Sequence, residues 1–428
     1  MSILIRGGTL LLGSGTSYEQ RVGDIRIEGS QITALASSIE PQPQDTIIEA
    51  AGKLVAPGLV DLHTHLREPG REDEETIVTG AQAAAAGGFT TIVCMPNTTP
   101  PLDSAVAVEG VLARATGASV QVIPVGCISK GRQGKELAEI GELVEAGVWG
   151  VSDDGNPIKD SEIMRRALEY SSPFGIPVIS HAEDPRLMGE GVMHEGFVST
   201  TLGLPGIPAE AESVMVARDV LLAKATGAWL HVAHVSTRES IEIIAAAKQK
   251  GVKVTCEVTP HHLVLTDEAV RTFDTNTKVN PPLRSPDHVE ALRGALADGI
   301  IDCISTDHAP HSFEEKDCDY EQAEFGLIGL ETALPLLLTH LVEPGILSLD
   351  TLWQRMSCKP AELLGLGSQG LAVGNRADIV VVDLHMSKQV DPRTGFSLSR
   401  NTPLAGQTLT GWPVATIAQG RVVFQEVE

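Results

Sequence analysis

The pattern of apolar and polar positions divides the chain into segments of different texture. Up to about residue 56, short apolar runs alternate with turn residues such as Gly7-Gly8 and Gly29-Ser30, and no helical period appears. This pattern predicts a small β unit. Its expected strands are Ser2–Arg6, Thr9–Leu12, Asp24–Glu28, Gln31–Leu35 and Thr46–Glu49.

From residue 59 onward, apolar runs alternate with segments of helical period. Continuous apolar runs are typical of parallel strands that are covered on both faces. Eight βα units over about 250 residues predict a (β/α)8 TIM barrel, whereas a doubly wound open sheet would need a Gly-rich dinucleotide turn that is missing here. The expected strands are Leu59–His65, Thr90–Pro96, Val120–Gly126, Trp149–Ser152, Pro177–His181, Leu230–Val235, Lys253–Val258 and Ile301–Thr306. The expected helices include Thr76–Ala86, Gly134–Ala146, Ser161–Tyr170, Glu210–Lys224, Arg238–Lys250 and His288–Ala297.

The segment after the eighth strand, Ala309–Phe325, is rich in charged residues. Its composition predicts a solvated, mobile loop, and we hypothesise that it closes over a bound substrate. Helical patterns follow at Glu331–Leu341 and Leu349–Leu364, and a strand pattern then returns. The two β-rich ends are expected to meet. The predicted organisation is a small β-sandwich of residues 1–56 and 367–428 beside a barrel of residues 57–366.

Two histidines follow the first apolar run of the barrel. The run Leu54–Leu62 is predicted as one buried strand, and His63 and His65 come directly after it. Alternate residues of a strand face the same side, so the two imidazoles can bind one metal ion. The alternative is a pair of histidines at a solvated strand end. The other strand ends decide between the two interpretations.

Polar side chains end at least five of the predicted strands. Catalytic groups of such barrels lie at the carboxyl ends of the strands, so these side chains are expected to converge. Imidazole and carboxylate ligands without thiolates suit Zn, Mn, Co or Fe(II), and their number suits two metal ions that share a carboxylate. The residues at these ends are His63, His65, Asn97, Asp153, Asp154, His181, His234, His261, His262, Asp307 and His311.

Composition narrows the class of protein. The chain has 428 residues and a formal net charge of −24, which argues against nucleic acid or an anionic membrane as partner. No long apolar run predicts a transmembrane helix, and the chain opens without a signal-peptide pattern. The 6 cysteines are scattered without a CxxC pair, as in a reducing compartment. A cytoplasmic enzyme is expected.

Seven sequence blocks in order resemble the class I bacterial dihydroorotases of the amidohydrolase superfamily. They are HLREPG (65–70), MPNTTP (95–100), SDDG (152–155), HVAHVST (231–237), TPHHL (259–263), KVNPPLR (278–284) and STDHAPH (305–311). The resemblance implies a cyclic amide hydrolase that interconverts N-carbamoyl-L-aspartate and dihydroorotate in pyrimidine biosynthesis. It also implies a homodimer as well as a possible association with aspartate transcarbamoylase.

The resemblance also implies the metal ligands. His63, His65 and Asp307 would hold one ion, and His181 and His234 the other, with zinc as the expected metal. In many relatives a carboxylated lysine bridges the ions, but this chain has no lysine at the end of strand four. Class I enzymes place an aspartate there, and the spacing to His181 favours Asp154, with Asp153 as the competing choice.

The substrate contacts implied by the resemblance are His65, Arg67, Asn97, Asn280 and His311, together with the backbone of Phe325 and Gly326. The physical chemistry agrees, since the planar guanidinium of Arg67 suits a carboxylate. Asp307 is the expected acid–base group, which accepts the proton of water and passes it to the leaving ring nitrogen.

Two alternatives remain at this stage. An allantoinase or hydantoinase would share the His-x-His motif and the barrel, but the SDDG block and Arg67 favour a dihydroorotase. An inactive dihydroorotase-like scaffold for aspartate transcarbamoylase should have lost metal ligands, and all of the implied positions are occupied here.

Overall fold

The computed structural model describes residues 2–13, 17–367 and 370–426. In chain order, the strands are β1 Ser2–Leu12, β2 Glu19–Glu28, β3 Gln31–Ala36, β4 Asp45–Glu49, β5 Leu54–Pro57, β6 Leu59–Thr64, β7 Phe89–Cys94, β8 Gln121–Pro124, β9 Val178–Ser180, β10 Met193–His194, β11 Gly206–Ile207, β12 Leu230–Val232, β13 Val254–Val258, β14 Cys303–Ile304, β15 Ile379–Gln389, β16 Thr408–Ala418 and β17 Arg421–Gln425.

The α-helices surround the barrel or lie in the loops at its rim. In chain order, they are α1 Ile77–Ala86, α2 Ala105–Ala115, α3 Ile140–Ala146, α4 Ser161–Ser171, α5 Pro185–Met188, α6 Phe197–Leu202, α7 Glu210–Thr226, α8 Arg238–Gln249, α9 Pro260–Val264, α10 Pro286–Ala297, α11 Phe313–Lys316, α12 Ala333–Leu337, α13 Leu349–Trp353 and α14 Lys359–Leu363. A π-helical turn continues α12, and another joins α13 to α14. None of the helices in the described part of the chain is long and apolar enough to cross a membrane.

Parallel pairing closes a ring of eight segments. Strands β6, β7 and β8 pair in order, and β9, β12, β13 and β14 form a second arc. Val151 bridges the arcs on one side by pairing with Gly126 and Val178, and Thr64 pairs with His308 on the other. The predicted barrel is confirmed. The fourth strand, predicted over Trp149–Ser152, is reduced to the single bridging residue Val151.

The two ends of the chain share one mixed sheet beside the barrel. Its strand order is β17-β16-β15-β5-β1-β2-β3, with β4 on the free part of β1. Side chains from both ends, among them Ile5, Ile25, Val381 and Ile417, form one buried cluster. The predicted meeting of the two β-rich ends is confirmed, whereas the domain boundaries 1–56, 57–366 and 367–428 stay a prediction.

The apolar run Leu54–Leu62 is not one strand, and this prediction was wrong. The chain divides at Gly58: β5 pairs with β1 and β15 of the terminal sheet, whereas β6 pairs with β7 of the barrel. A Cβ at Gly58 would lie 2.4 Å from Cγ2 of Thr90, so the crossing requires a glycine. The pattern of apolar residues could not reveal the division because both halves are buried.

Helix α3 is shorter than predicted. It begins at Ile140 rather than Gly134. The residues before it are drawn into extended pairing, because Leu137 forms an antiparallel bridge with Ser129. The competing tertiary contact therefore overrides the local helical pattern in this segment.

The charged loop Ala309–Phe325 is less solvated than predicted. It contains the short helix α11, and Lys316, Tyr320 and Ala323 are buried. The ammonium of Lys316 donates to the backbone oxygens of Glu324 at 2.6 Å and Thr275 at 3.2 Å. The loop is thus tied down by a buried cation that is bound to neutral acceptors. Its mobility stays a prediction.

Lys316 makes the stability of the protein depend on pH. Burial and the nearby charge of Lys278 lower the pKa of Lys316 to about 7 from its ordinary value of 10.5. The folded state therefore releases this proton before the unfolded state does, and the free energy of unfolding should rise between about pH 7 and pH 10. A Lys316→Met variant should lack this rise. Urea titrations of both proteins at several pH values measure the difference, and parallel pH profiles would contradict the expectation.

Candidate active site

Six polar side chains meet at the carboxyl-terminal rim of the barrel. They follow five different barrel segments, and all are buried except for Asp307, whose side chain is 13% exposed. His63 is the second-last residue of β6, which ends at Thr64, and His65 follows the strand directly. The other four residues come after the ends of the remaining barrel segments. The set is His63, His65, Asp154, His181, His234 and Asp307. The strand ends thus bring together all of the metal ligands implied by the sequence.

Asp154 lies between two pairs of imidazoles. Its Oδ2 is 3.4 Å from Nε2 of His63 and 3.5 Å from Nε2 of His65. Its Oδ1 is 3.6 Å from Nδ1 of His181 and 3.5 Å from Nε2 of His234. Each oxygen therefore faces one imidazole pair, which is the arrangement of a carboxylate that bridges two ions.

Asp307 lies on the His63 and His65 side of the centre. Its Oδ1 is 3.1 Å from Nε2 of His65 and 3.6 Å from Nε2 of His63. Its backbone φ is 50°, and that of His234 is 32°, in the left-handed region that side chains other than glycine rarely adopt. Such strain concentrates at functional sites, where the surrounding structure holds it in place.

The residues present fit a pair of metal ions. Nε2 of His63 and Oδ1 of Asp154 are buried and lack a hydrogen-bond partner, although both are strong polar groups. Nδ1 of His181 and Nε2 of His234 are 3.0 Å apart and point at the same space. Unpaired buried polar atoms are costly, and a shared cation would satisfy them. The donor set of imidazole and carboxylate groups suits zinc and related divalent metals.

The charges of the centre shift the pKa values of its members. Burial opposes ionisation of Asp154, but the charge of His63 and the adjacent imidazoles of His181 and His234 hold the pKa of this carboxyl well below its usual range. Burial likewise opposes ionisation of Asp307, yet His65 and His63 keep its pKa low. Both carboxyls are therefore ionised near neutral pH, as metal ligands must be.

Two residues orient the histidines of the first pair. Nδ1 of His63 is 2.6 Å from Oε1 of Glu257, and Nδ1 of His65 is 2.8 Å from Oδ1 of Asn97. These contacts fix the ring orientations and leave Nε2 for the metal. Asn97, expected to contact substrate, thus holds a ligand through its side-chain oxygen. Glu257 was missed by the sequence reasoning, although an acidic residue inside the apolar strand β13 was a usable signal.

The structure separates Asp153 from Asp154. The carboxylate of Asp153 accepts hydrogen bonds from the backbone N–H of Ile128 at 2.9 Å and of Ser129 at 3.0 Å, as well as from the Ser129 hydroxyl. It is thereby turned toward the preceding loop. This geometry supports Asp154 rather than Asp153 as the bridging residue.

The residues expected to contact substrate lie around the metal centre. Nε of Arg67 is 3.0 Å from the backbone oxygen of Pro310, and Nη2 of Arg67 is 3.3 Å from Nε2 of His311. That His311 nitrogen also lies 2.9 Å from the backbone oxygen of Phe325. The backbone N–H of Gly326 donates to the backbone oxygen of Lys278 at 2.8 Å. The structure brings Arg67, His311 and the Phe325–Gly326 backbone into one group.

Asn280 approaches the second imidazole pair. It precedes a cis peptide bond to Pro281, and its Nδ2 donates to Oε2 of Glu183 at 3.0 Å. The same nitrogen is 3.4 Å from Nε2 of His181, and Oδ1 of Asn280 is buried without a partner. An unsatisfied amide oxygen beside the centre is suited to accept a hydrogen bond from a ligand.

Three further histidines at or near the rim have protein partners, whereas Nε2 of His261 is buried without a hydrogen-bond partner. Nδ1 of His231 is 2.8 Å from the hydroxyl of Thr255, and its Nε2 is 3.3 Å from Oε2 of Glu257. Nε2 of His262 contacts the backbone oxygen of Pro281 at 2.9 Å, and Nε2 of His308 lies 3.2 Å from Glu75. These contacts order the loops around the centre.

Comparison with known proteins identifies the family. Residues 52–240 match the family model described as Dihydro-orotase-like. A dihydroorotase from Pelotomaculum thermopropionicum is 50% identical over 426 residues, covering 100% of this chain and 99% of that protein. This chain belongs to the dihydroorotase family. A second dihydroorotase, from Trichlorobacter lovleyi, is 48% identical over 425 residues, which are 99% of each chain. The family resemblance inferred from the sequence blocks is confirmed.

Solved structures of related hydrolases share the fold of this dihydroorotase-family chain. The L-hydantoinase (dihydropyrimidinase) from Arthrobacter aurescens superposes with a TM-score of 0.88 at 28% identity, over 100% of this chain and 96% of that one. The dihydropyrimidinase from Brevibacillus agri NCHU1002 gives a TM-score of 0.85 at 26% identity, over 99% and 95%. The likeness supports the predicted barrel with its β-sandwich.

The two neighbouring aspartates provide a matched test of the metal centre. Asp154→Asn should weaken the binding of a divalent metal by more than about 100-fold, since even partners behind the ligands contribute 10- to 100-fold. Asp153→Asn should keep the metal and lower only the thermal stability, because it loses hydrogen bonds to a loop. Metal content after dialysis against a chelator, measured by atomic emission, checks both. Loss of metal in Asp153→Asn with retention in Asp154→Asn would reverse the assignment.

Proposed function

We propose that the protein catalyses the reversible cyclisation of N-carbamoyl-L-aspartate to dihydroorotate, a step of pyrimidine biosynthesis. The observation that carries the proposal is the placement of a buried arginine, Arg67, two residues beyond His65 at the edge of two linked imidazole pairs. This combines a centre for amide hydrolysis with a group that suits a carboxylate. Full-length identity of 50% to a dihydroorotase supports the same reaction.

The proposed cofactor is two zinc ions per chain. His63, His65 and Asp307 would hold one ion, His181 and His234 the other, and Asp154 would bridge them. Bound divalent metals acidify water and polarise the amide carbonyl. The sharing of Asp154 between both imidazole pairs supports two sites rather than one, since each carboxylate oxygen faces a separate pair.

The substrate-binding residues are proposed to orient the ring. The guanidinium of Arg67 binds the carboxylate of dihydroorotate by two parallel hydrogen bonds, and His311 adds a further donor. Asn280 offers its unsatisfied oxygen to a ring N–H. Asn97 acts through His65, and the Phe325–Gly326 backbone completes the binding surface. A ring held in this way already has the orientation that the reaction needs, which lowers the entropic part of the barrier.

Asp307 is proposed as the acid–base group. In ring opening, its carboxylate accepts a proton from the attacking water and delivers it to the ring nitrogen that leaves. In ring closure, it returns the proton along the same path. Its position 3.1 Å from His65 and its lowered pKa keep it ionised and ready to accept a proton. A carboxylate that faces both the metal ligands and the substrate space can serve both directions.

A hydantoinase-type activity is the second candidate, because structures of that class superpose with a TM-score of 0.88. The presence of Asp154 where many relatives bridge with a carboxylated lysine, as well as Arg67, favours dihydroorotate. An inactive scaffold is disfavoured, since every proposed ligand is present and convergent. A homodimer, an association with aspartate transcarbamoylase and a cytoplasmic location stay predictions from the family resemblance.

The decisive experiment measures turnover of N-carbamoyl-L-aspartate, dihydroorotate, allantoin and hydantoin by the purified protein, with metal content determined on the same sample. Interconversion of the first two compounds is expected. Exclusive turnover of hydantoin or allantoin would overturn the proposal in favour of the second candidate.

Asp307→Asn should lower kcat by about 10²- to 10⁴-fold, because the amide cannot accept a proton. The fold should remain, so circular dichroism serves as the control. Wild-type kcat in Asp307→Asn would remove this residue from the mechanism.

A further inference from the structure

Arg67 is itself held by an acidic residue that lies outside the metal centre. The side chain of Arg67 is 11% exposed, and its Nε is 3.0 Å from Oε2 of Glu74, whose side chain is 2% exposed. A buried guanidinium without a counter-charge is strongly disfavoured. Glu74 therefore provides the charge that allows Arg67 to be buried at the edge of the centre.

Glu74 is fixed from both sides of its backbone. Its N–H donates to the backbone oxygen of Arg71 at 3.0 Å, and its carbonyl accepts the hydroxyl of Ser399 at 2.8 Å. Its second oxygen, Oε1, is 2.9 Å from Nη2 of Arg71 and 3.4 Å from Nδ1 of His311. The carboxylate thus pairs with Arg67 and lies beside His311, whose Nδ1 is also 3.2 Å from Oε2 of Glu315. Arg67 and His311 are the two groups proposed for the substrate carboxylate.

The ion pair determines which edge of the guanidinium is available. Nε of Arg67 is engaged by Glu74 and by the backbone oxygen of Pro310. The edge formed by the terminal nitrogens Nη1 and Nη2 is the one left for a bidentate carboxylate. Nη2 is 3.3 Å from Nε2 of His311, so this edge lies beside the imidazole of His311.

We propose that Glu74 is the positioning residue that aims Arg67 and His311 at the carboxylate of the substrate ring, and that it thereby sets the preference for carboxylate-bearing rings over unsubstituted ones. The inference rests on the proposed function, since it concerns how the same site recognises its substrate. Glu74 acts through Arg67 and touches no reacting atom. Its removal should therefore affect binding rather than the chemical step.

The loop that carries Glu74 also offers a matched control. Glu72 lies two residues earlier and is exposed, and its carboxylate accepts the backbone N–H of Gly70 at 3.0 Å. It has the same charge and side chain without the contact to Arg67. Glu72→Gln removes one negative charge from the same loop and should leave catalysis unchanged.

The test compares Glu74→Gln, Glu74→Asp and Glu72→Gln with the wild type, each with its metal content measured. With dihydroorotate, Glu74→Gln should raise KM by about 10- to 100-fold, as expected for a misplaced binding group. Its kcat should stay within about threefold of the wild-type value, because the lost interaction stabilises the bound substrate and the transition state equally. Glu74→Asp should give an intermediate KM, since it restores the charge at a greater distance. Metal content should equal that of the wild type.

Dihydrouracil is the same ring without the carboxylate. Activity on it shows whether a variant has lost only the recognition of the carboxylate or has lost activity in general. Glu74→Gln should leave kcat/KM for dihydrouracil unchanged while kcat/KM for dihydroorotate falls. An equal fall for both rings, a wild-type KM for dihydroorotate, or a fall in kcat alone would overturn the inference. If turnover of dihydrouracil is below detection, the changes in KM and kcat for dihydroorotate decide whether Glu74 acts in binding. If Glu74→Gln does not fold, Glu74→Asp is compared with the wild type instead. A wild-type protein inactive on dihydroorotate would instead contradict the proposed function.

Discussion

The shared carboxylate of Asp154 is the constraint on which the rest of the site depends. Four buried imidazoles would repel one another if several were protonated. A single carboxylate between the pairs, with one oxygen facing each, places one negative charge beside both pairs. The geometry works only if Asp154 stands near the barrel axis while the histidines come from strands on either side.

The barrel reaches this arrangement at its least regular point. The fourth segment pairs through Val151 alone, so the chain leaves the sheet early and turns inward. Ser152 fixes the turn, because its N–H donates to Gly126 at 2.8 Å and its hydroxyl to Ile179 at 3.1 Å. The N–H of Asp154 in turn lies 3.0 Å from that hydroxyl. A longer strand would have continued along the barrel wall and carried Asp154 away from the axis.

Much of the site could be predicted from the sequence because parallel strands place their carboxyl ends together. The spacing of His63 and His65 predicted one pair of imidazoles, and the polar residues at the ends of the other strands predicted the remaining members of the site. The division at Gly58 was predicted only in part. The expected strand Leu59–His65 agrees with it, whereas the run Leu54–Leu62 did not show it, since the division depends on the close approach of Thr90 and on the partners of two buried half-strands. The role of Glu74 was hidden, because it depends on a buried position in a charged loop. Glu257 was signalled only as an acidic residue within an apolar strand, and its contact with His63 is distant in sequence.

Burial of so many carboxylates beside a site for an anionic substrate needs a physical reason. Glu257 lies behind His63, Glu183 near His181 and Asn280, and Glu74 behind Arg67. Each contacts a residue that is proposed to bind metal or substrate, yet together they would repel a dianionic substrate at short range. Coulomb repulsion between buried charges is large because the dielectric is low. Divalent metals between the imidazole pairs would reverse the local sign, and the guanidinium of Arg67 would then meet the substrate carboxylate in a positive field. The acidic residues could therefore orient the site while Arg67 and the proposed metals compensate for their charge, which would make substrate affinity and metal occupancy interdependent.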